Sequence, residues 1–176
     1  MARTHYIDNK IFLENMTAYK KAVNEHKELG KPKPRIPEYV GSCFMKIAEK
    51  LSHKPNFLSY SFRDEMIADA IENCVMYVDN FDPNVSSNPF AYFTQIVYYA
   101  FLRRIQREKK QLYVKYKSAE MIGSLDEGNL LEDENGNVRP FEVYSNISEF
   151  IDNFEKAQIE KKAKLKINLE KFIEDD

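Results

Sequence analysis

Tryptophan is absent from the 176 residues, and cysteine and glycine are scarce at two and five. Each scarcity closes off a class of protein. Cys43 and Cys74 are too few thiols for a structural zinc cluster or a secreted disulfide scaffold. Five glycines cannot furnish many tight turns, and the length suits one domain with an appendage, or two small domains, rather than a doubly wound sheet or a TIM barrel. No apolar run approaches ~18 residues, and the opening MARTHYIDNK lacks the apolar segment of a signal peptide. The expectation is a soluble protein in a reducing, intracellular compartment, with no membrane partner. His5, His26 and His53 lie in three separate segments, and the sequence contains no Gly-rich phosphate loop, G-x-S-x-G or H-E-x-x-H motif. No catalytic residue, metal or cofactor is indicated.

The formal net charge of -2 argues against a nucleic-acid partner only until it is counted by segment. Residues 1–36 carry eight bases against four acids, and residues 37–99 carry four against eight. Residues 100–117 carry seven bases and one acid, whereas 118–176 carry seven bases and fifteen acids. A block of +6 between acidic neighbours is a local electrostatic footprint.

Periodicity predicts an all-α chain. A first helix runs from about Ile11 to Leu29, capped by Asp8 and stopped by Gly30, with Ile11, Phe12, Met16, Tyr19 and Val23 as its apolar stripe. KPKPRIP follows as a linker. A second helix spans Glu38 to about Ser52. A third begins at Ser61, where Ser61 and Asp64 have capping-box spacing, and it breaks at Asn80-Phe81-Asp82-Pro83. A fourth opens with Asn88 as cap and Pro89 at its first position, and continues to about Lys117, so its basic second half should project into solvent or onto a partner. Residues 118–140 read as a mobile polar loop, followed by a short amphipathic helix (Ile147, Phe150, Ile151, Phe154), a charged run and the ending INLEKFIEDD. The divisions are 1–36, 37–117 and an acidic, partly flexible 118–176.

The fourth helix carries the most chemistry. Phe93, Val97, Ala100, Phe101 and Ile105 form one apolar side, while Tyr92, Gln95, Tyr99, Arg103 and Gln106 form another and run into Arg104, Arg107, Lys109 and Lys110. Aromatic rings stack on bases, and amides and guanidinium groups reach base edges or phosphates. That combination makes nucleic-acid binding the leading reading. Packing of the tyrosines against neighbouring helices is the alternative for the rings alone. On the third helix Glu65, Asp69 and Glu72 share a face. Such a face suits solvent, a basic partner or, with acids from elsewhere, a divalent metal.

DEMIADAIENCVMYVDNFD (64–82) followed by NPFAYFTQIVYYAFLRRIQRE (88–108) resembles region 2 of bacterial sigma factors, and more narrowly the late-transcription sigma factors of T4-like bacteriophages. The resemblance covers roughly residues 38–117. It implies a compact helical bundle with a long basic DNA-reading helix. It also implies that Glu65, Asp69, Glu72 and Asn73 dock on the β′ coiled coil of the RNA polymerase core. Tyr92 falls on the position that holds a flipped-out base of the non-template strand, with Tyr99 and Leu102 towards the duplex edge of an A+T-rich minus-ten-type element and Arg103 as their basic neighbour. Gln95 and Ile96 stand where sigma factors usually have two adjacent tryptophans, which the phage factors also lack. The C-terminus matches a clamp-binding peptide, with Leu169, Phe172 and Ile173 as anchors for the phage sliding clamp. The resemblance thus implies a non-enzymatic sigma factor for late genes, a late coactivator as a further partner, and the cytoplasm of the infected bacterial host. The rivals are a helical polymerase-binding adaptor or anti-sigma protein that does not read DNA, and a metal-dependent nuclease using Glu65 and Asp69.

Overall fold

The computed structural model describes residues 6–122 and 141–174, with side chains placed for 6–122 and 146–164. Every regular element among them is helical: α1 (Asn9–Glu28), α2 (Glu38–Ser52), α3 (Pro55–Leu58), α4 (Arg63–Tyr77), a 3₁₀ turn (Val78–Asn80), α5 (Pro89–Met121) and α6 (Phe141–Glu174). The fold is all-α. Among the described residues no helix is long and apolar enough to cross a membrane. The chain divides at residues 106 and 107 into two units.

In the first unit the helix ends follow the local chemistry. The Asp8 carboxylate accepts the amides of Lys10 and Ile11 at 2.8 and 3.2 Å, satisfying two of the donors orphaned at the start of α1. At the other end the Lys31 amide reaches the His26 carbonyl at 2.8 Å and the Gly30 amide that of Lys27 at 3.2 Å, with Gly30 at φ 63°. This is a Schellman stop, which needs the left-handed region open to glycine. Asn88 caps α5 by accepting the Ala91 amide at 3.0 Å, and Asn9 of α1 accepts the neighbouring Phe90 amide at 3.2 Å. The start of α1 therefore satisfies part of the start of α5.

The apolar stripes converge on one core. Phe12, Phe44 and Phe93, from α1, α2 and α5, are fully buried, with ring centroids 4.5–6.3 Å apart. Each such pair adds roughly 0.5–1.5 kcal/mol beyond the burial itself. Met66, Ala70 and Cys74 of α4 and Val97, Ala100, Phe101 and Ile105 of α5 complete the core. Burial without a charged neighbour to offset it pushes the Cys74 thiol from 9.0 up to about 12. α1 is an integral part of this bundle. Its linker is tied down where Lys33 pairs with Asp79 at 2.7 Å, while Lys20 donates to the Asp79 carbonyl.

Three expectations need correction. Ser61 and Asp64 form no capping box: α4 starts later, Phe62 occupies the cap position, and no side chain bonds the first turn. Between α2 and α4, Pro55 opens the short α3, because proline suits the first helical position. The fourth helix does not stop near Lys117 but at Met121, and the amphipathic segment and charged run beyond Phe141 are one 34-residue helix. Of the expected loop, residues 118–121 belong to α5, and 123–140 lie outside the described residues.

In the second unit the basic half of α5 is not bare. Tyr113 stacks on Phe154 of α6 with centroids 4.5 Å apart and planes 18° apart, and Tyr116 meets Phe150 edge-on at 5.7 Å. Ile151 is buried.

Candidate nucleic-acid interface

The 3.6-residue period that turns Phe93, Val97 and Phe101 inwards turns Tyr92, Gln95, Tyr99 and Arg103 towards a groove on the surface of the first unit. The groove has a volume of about 340 Å³ and is lined by those four residues with Ile96 and Tyr77. Its size is at the lower end of ligand-sized clefts. Three tyrosines, one amide and one guanidinium thus face a common space.

The tyrosines are held differently. Tyr92 packs edge-on against Phe81 at 5.3 Å and Phe93 at 5.1 Å, and burial pushes its phenol upwards. It forms a packed wall of the groove. Tyr99 is half exposed and touches Tyr98 edge-on at 5.8 Å. Tyr77, at the end of α4, is exposed and also lines the groove. An exposed ring beside one packed against the core is a geometry on which a base can stack.

Arg103 is oriented. Its guanidinium donates to Asn73 Oδ1 at 2.7 Å, and Asn73 Nδ2 donates to the Asp69 carbonyl at 2.6 Å. Next to it, Arg104 pairs with the Asp69 carboxylate at 3.2 Å and is mostly buried. Sequence reasoning places Asp69 and Asn73 on one partner surface and Arg103 and Arg104 on another, whereas the structure joins the two sets across α4 and α5. Glu65 and Glu72 stay exposed on α4. Among the described residues no three His, Cys, Asp or Glu side chains assemble into a metal site.

The remaining candidates are spread out. Leu102 is half-buried and packs against the core, so only part of its side chain faces outwards. Gln106 is exposed at the end of the first unit, and Arg107, Lys109 and Lys110 are exposed on the continuation of α5 in the second. Leu169, Phe172 and Ile173 fall on the helical backbone of α6, their side chains outside the described residues.

Tyr77 is the functional-looking residue that sequence reasoning misses. A signal was present: Asp69, Asn73 and Tyr77 are spaced by fours on α4 and therefore share a face. No protein-family model matches the chain, and no curated protein matches it.

Proposed function

We propose that this chain is a promoter-specificity factor, a sigma factor for late phage genes working in the cytoplasm of the infected bacterial host. The observation that supports it best is the groove of Tyr77, Tyr92 and Tyr99 with Gln95 and Arg103. In this reading an unpaired non-template base of an A+T-rich minus-ten-type element leaves the stack and lies on the exposed tyrosines, gaining ~1–3 kcal/mol. Arg103, pre-aimed by Asn73, meets the adjacent phosphate, and Arg107, Lys109 and Lys110 attract the duplex through its backbone. Exposed Glu65 and Glu72 offer a negative face to the basic polymerase coiled coil, and the tail takes the sliding clamp. The chain performs no covalent chemistry, and the polymerase supplies catalysis.

The test is run-off transcription with purified core polymerase on an A+T-rich promoter. Addition of the protein should create a specific start. Tyr92→Ala combined with Arg103→Ala should abolish promoter opening and spare core binding, and deletion of residues 168–176 should remove only clamp-dependent stimulation. Normal initiation by the double variant would reject the reading. One observation favours a polymerase-binding adaptor instead: the Asp69–Arg104 pair holds one of the DNA-side cations against α4. An adaptor would bind core polymerase without creating a start.

A further inference from the structure

We propose that α6 covers a second nucleotide position on α5, built from Tyr113 and Lys117, and competes there with single-stranded nucleic acid. The inference rests on the reading of α5 as a nucleic-acid helix and adds to it a site and its regulation. Beyond Gln106, steps of four, three and four residues reach Lys110, Tyr113 and Lys117, continuing the spacing that lines up Tyr92, Gln95 and Tyr99. The tyrosine-and-cation pattern therefore repeats in the second unit.

What occupies the repeat has the form of a nucleotide. The Phe154 ring lies on Tyr113 in a near-parallel stack, 4.5 Å between centroids and 18° between planes, as a base would. The next residue supplies the anion: the Glu155 carboxylate accepts the Tyr113 hydroxyl at 2.8 Å and pairs with the Lys117 ammonium at 3.3 Å, as a phosphate oxygen would. These contacts hold the Glu155 carboxyl below its ordinary value and the Tyr113 phenol above its own. A flat ring and a negative charge on adjacent positions of α6 thus use both binding functions of the site.

The cover is built to be displaced. The side chains of Lys117 and Glu155 are 37% and 42% exposed, and solvent screens such a pair so that it holds α6 only weakly. Among the described side chains of α6, Ile151 alone is buried. The described part of α6 is attached by little buried surface, which places it among the segments that open first.

The experiment measures binding of a fluorescein-labelled, A+T-rich single-stranded DNA to the full chain by anisotropy at fixed salt. Phe154→Ala and, without removing the ring, Glu155→Gln should each tighten binding about five- to tenfold. Loss of α6 packing in Phe154→Ala would uncover the site equally, so a partly unfolded α6 does not mask the effect. Tyr113→Ala should cancel the gain in either background. Lys117 also pairs with Glu120 of its own helix at 2.9 Å, so uncovering it should steepen the salt dependence of binding by no more than about 0.7 in log–log slope. Unchanged affinity in both variants, or a gain that survives Tyr113→Ala, overturns the proposal. If Tyr99→Ala weakens binding while the α6 variants do nothing, only the cover falls. If none of these chains binds the oligonucleotide, the nucleic-acid reading of α5 falls with it.

Discussion

Tyr99→Ala separates what a ring does for binding from what it does for folding. The residue is 50% exposed and its ring touches Tyr98 only edge-on, so truncation uncovers little buried surface. The melting free energy should move by no more than about 0.5 kcal/mol. If Tyr99 carries a stacked base, the same change removes ~1–3 kcal/mol from single-strand binding, a loss of about 5- to 150-fold. Tyr99→Phe keeps the ring and should stay within about twofold of the original chain. The assay is anisotropy with an A+T-rich single-stranded oligonucleotide at several salt concentrations, beside a thermal melt of each variant. Because Tyr99 is uncharged, its removal should lower affinity at every salt concentration without altering the slope. Arg103→Ala should instead flatten the slope by about 0.7. An alanine variant that melts normally and binds within twofold of the original would refute stacking in the groove. Binding lost through Arg103 alone would leave only a charge effect.

Phe93→Ala makes the contrast on the same helix: the ring is fully buried against Phe12 and Phe44, and its loss should cost ~3–5 kcal/mol and lower the melting temperature by more than about 10 °C. Gly41 lies inside α2, and a Cβ there would meet nothing within 4 Å; Gly41→Ala should stabilise by ~0.5–1 kcal/mol in chemical denaturation, and no gain would mean that the added methyl is not accommodated. The Cys74 thiol has its folded pKa raised by burial to about 12 from 9.0, so folding favours the neutral form. That stability is fully present below pH 9 and is lost as pH rises towards 12, with buried Tyr19 and half-buried Tyr92 shifted in the same sense. Denaturation measured from pH 8 to 11 should show the decline, and Cys74→Ala should make it shallower.

The elements that could be read from sequence are those whose signals are local. Asp8, Gly30, Asn88 and Pro89 act on their own or adjacent helix ends, and the caps expected of them form. The stripe Phe93, Val97, Ala100, Phe101 and Ile105 is buried in full, because a strict helical period leaves it one side to face. Ser61 and Asp64 have the right spacing for a cap, yet Phe62, half-buried against the core, fixes where α4 begins. Tertiary packing overrode the local preference. The groove was legible on the α5 side, where Tyr92, Gln95, Tyr99 and Arg103 repeat by threes and fours. Tyr77 and the arginine clasps were not, since they depend on which face of α4 meets α5. The charged run after Phe154 carries neither proline nor a glycine stop, so nothing local ends the helix there, and α6 continues through it.

The dependence of α1 on distant residues has a consequence during synthesis. Phe12 is buried against Phe93, Asn9 hydrogen-bonds the Phe90 amide, and Lys33 is tied to Asp79. None of those partners exists when α1 is first made. At roughly 5–20 residues per second, the eighty-odd residues between Phe12 and Phe93 take about 4–16 s to add. For that time the Phe12–Met16–Tyr19 stripe is an uncovered greasy face on a growing chain, and only Phe44 and its α2 neighbours can shield it early. The core therefore cannot be completed until α5 is made, and the nascent chain exposes more apolar surface to chaperones, proteases and aggregation before α5 arrives.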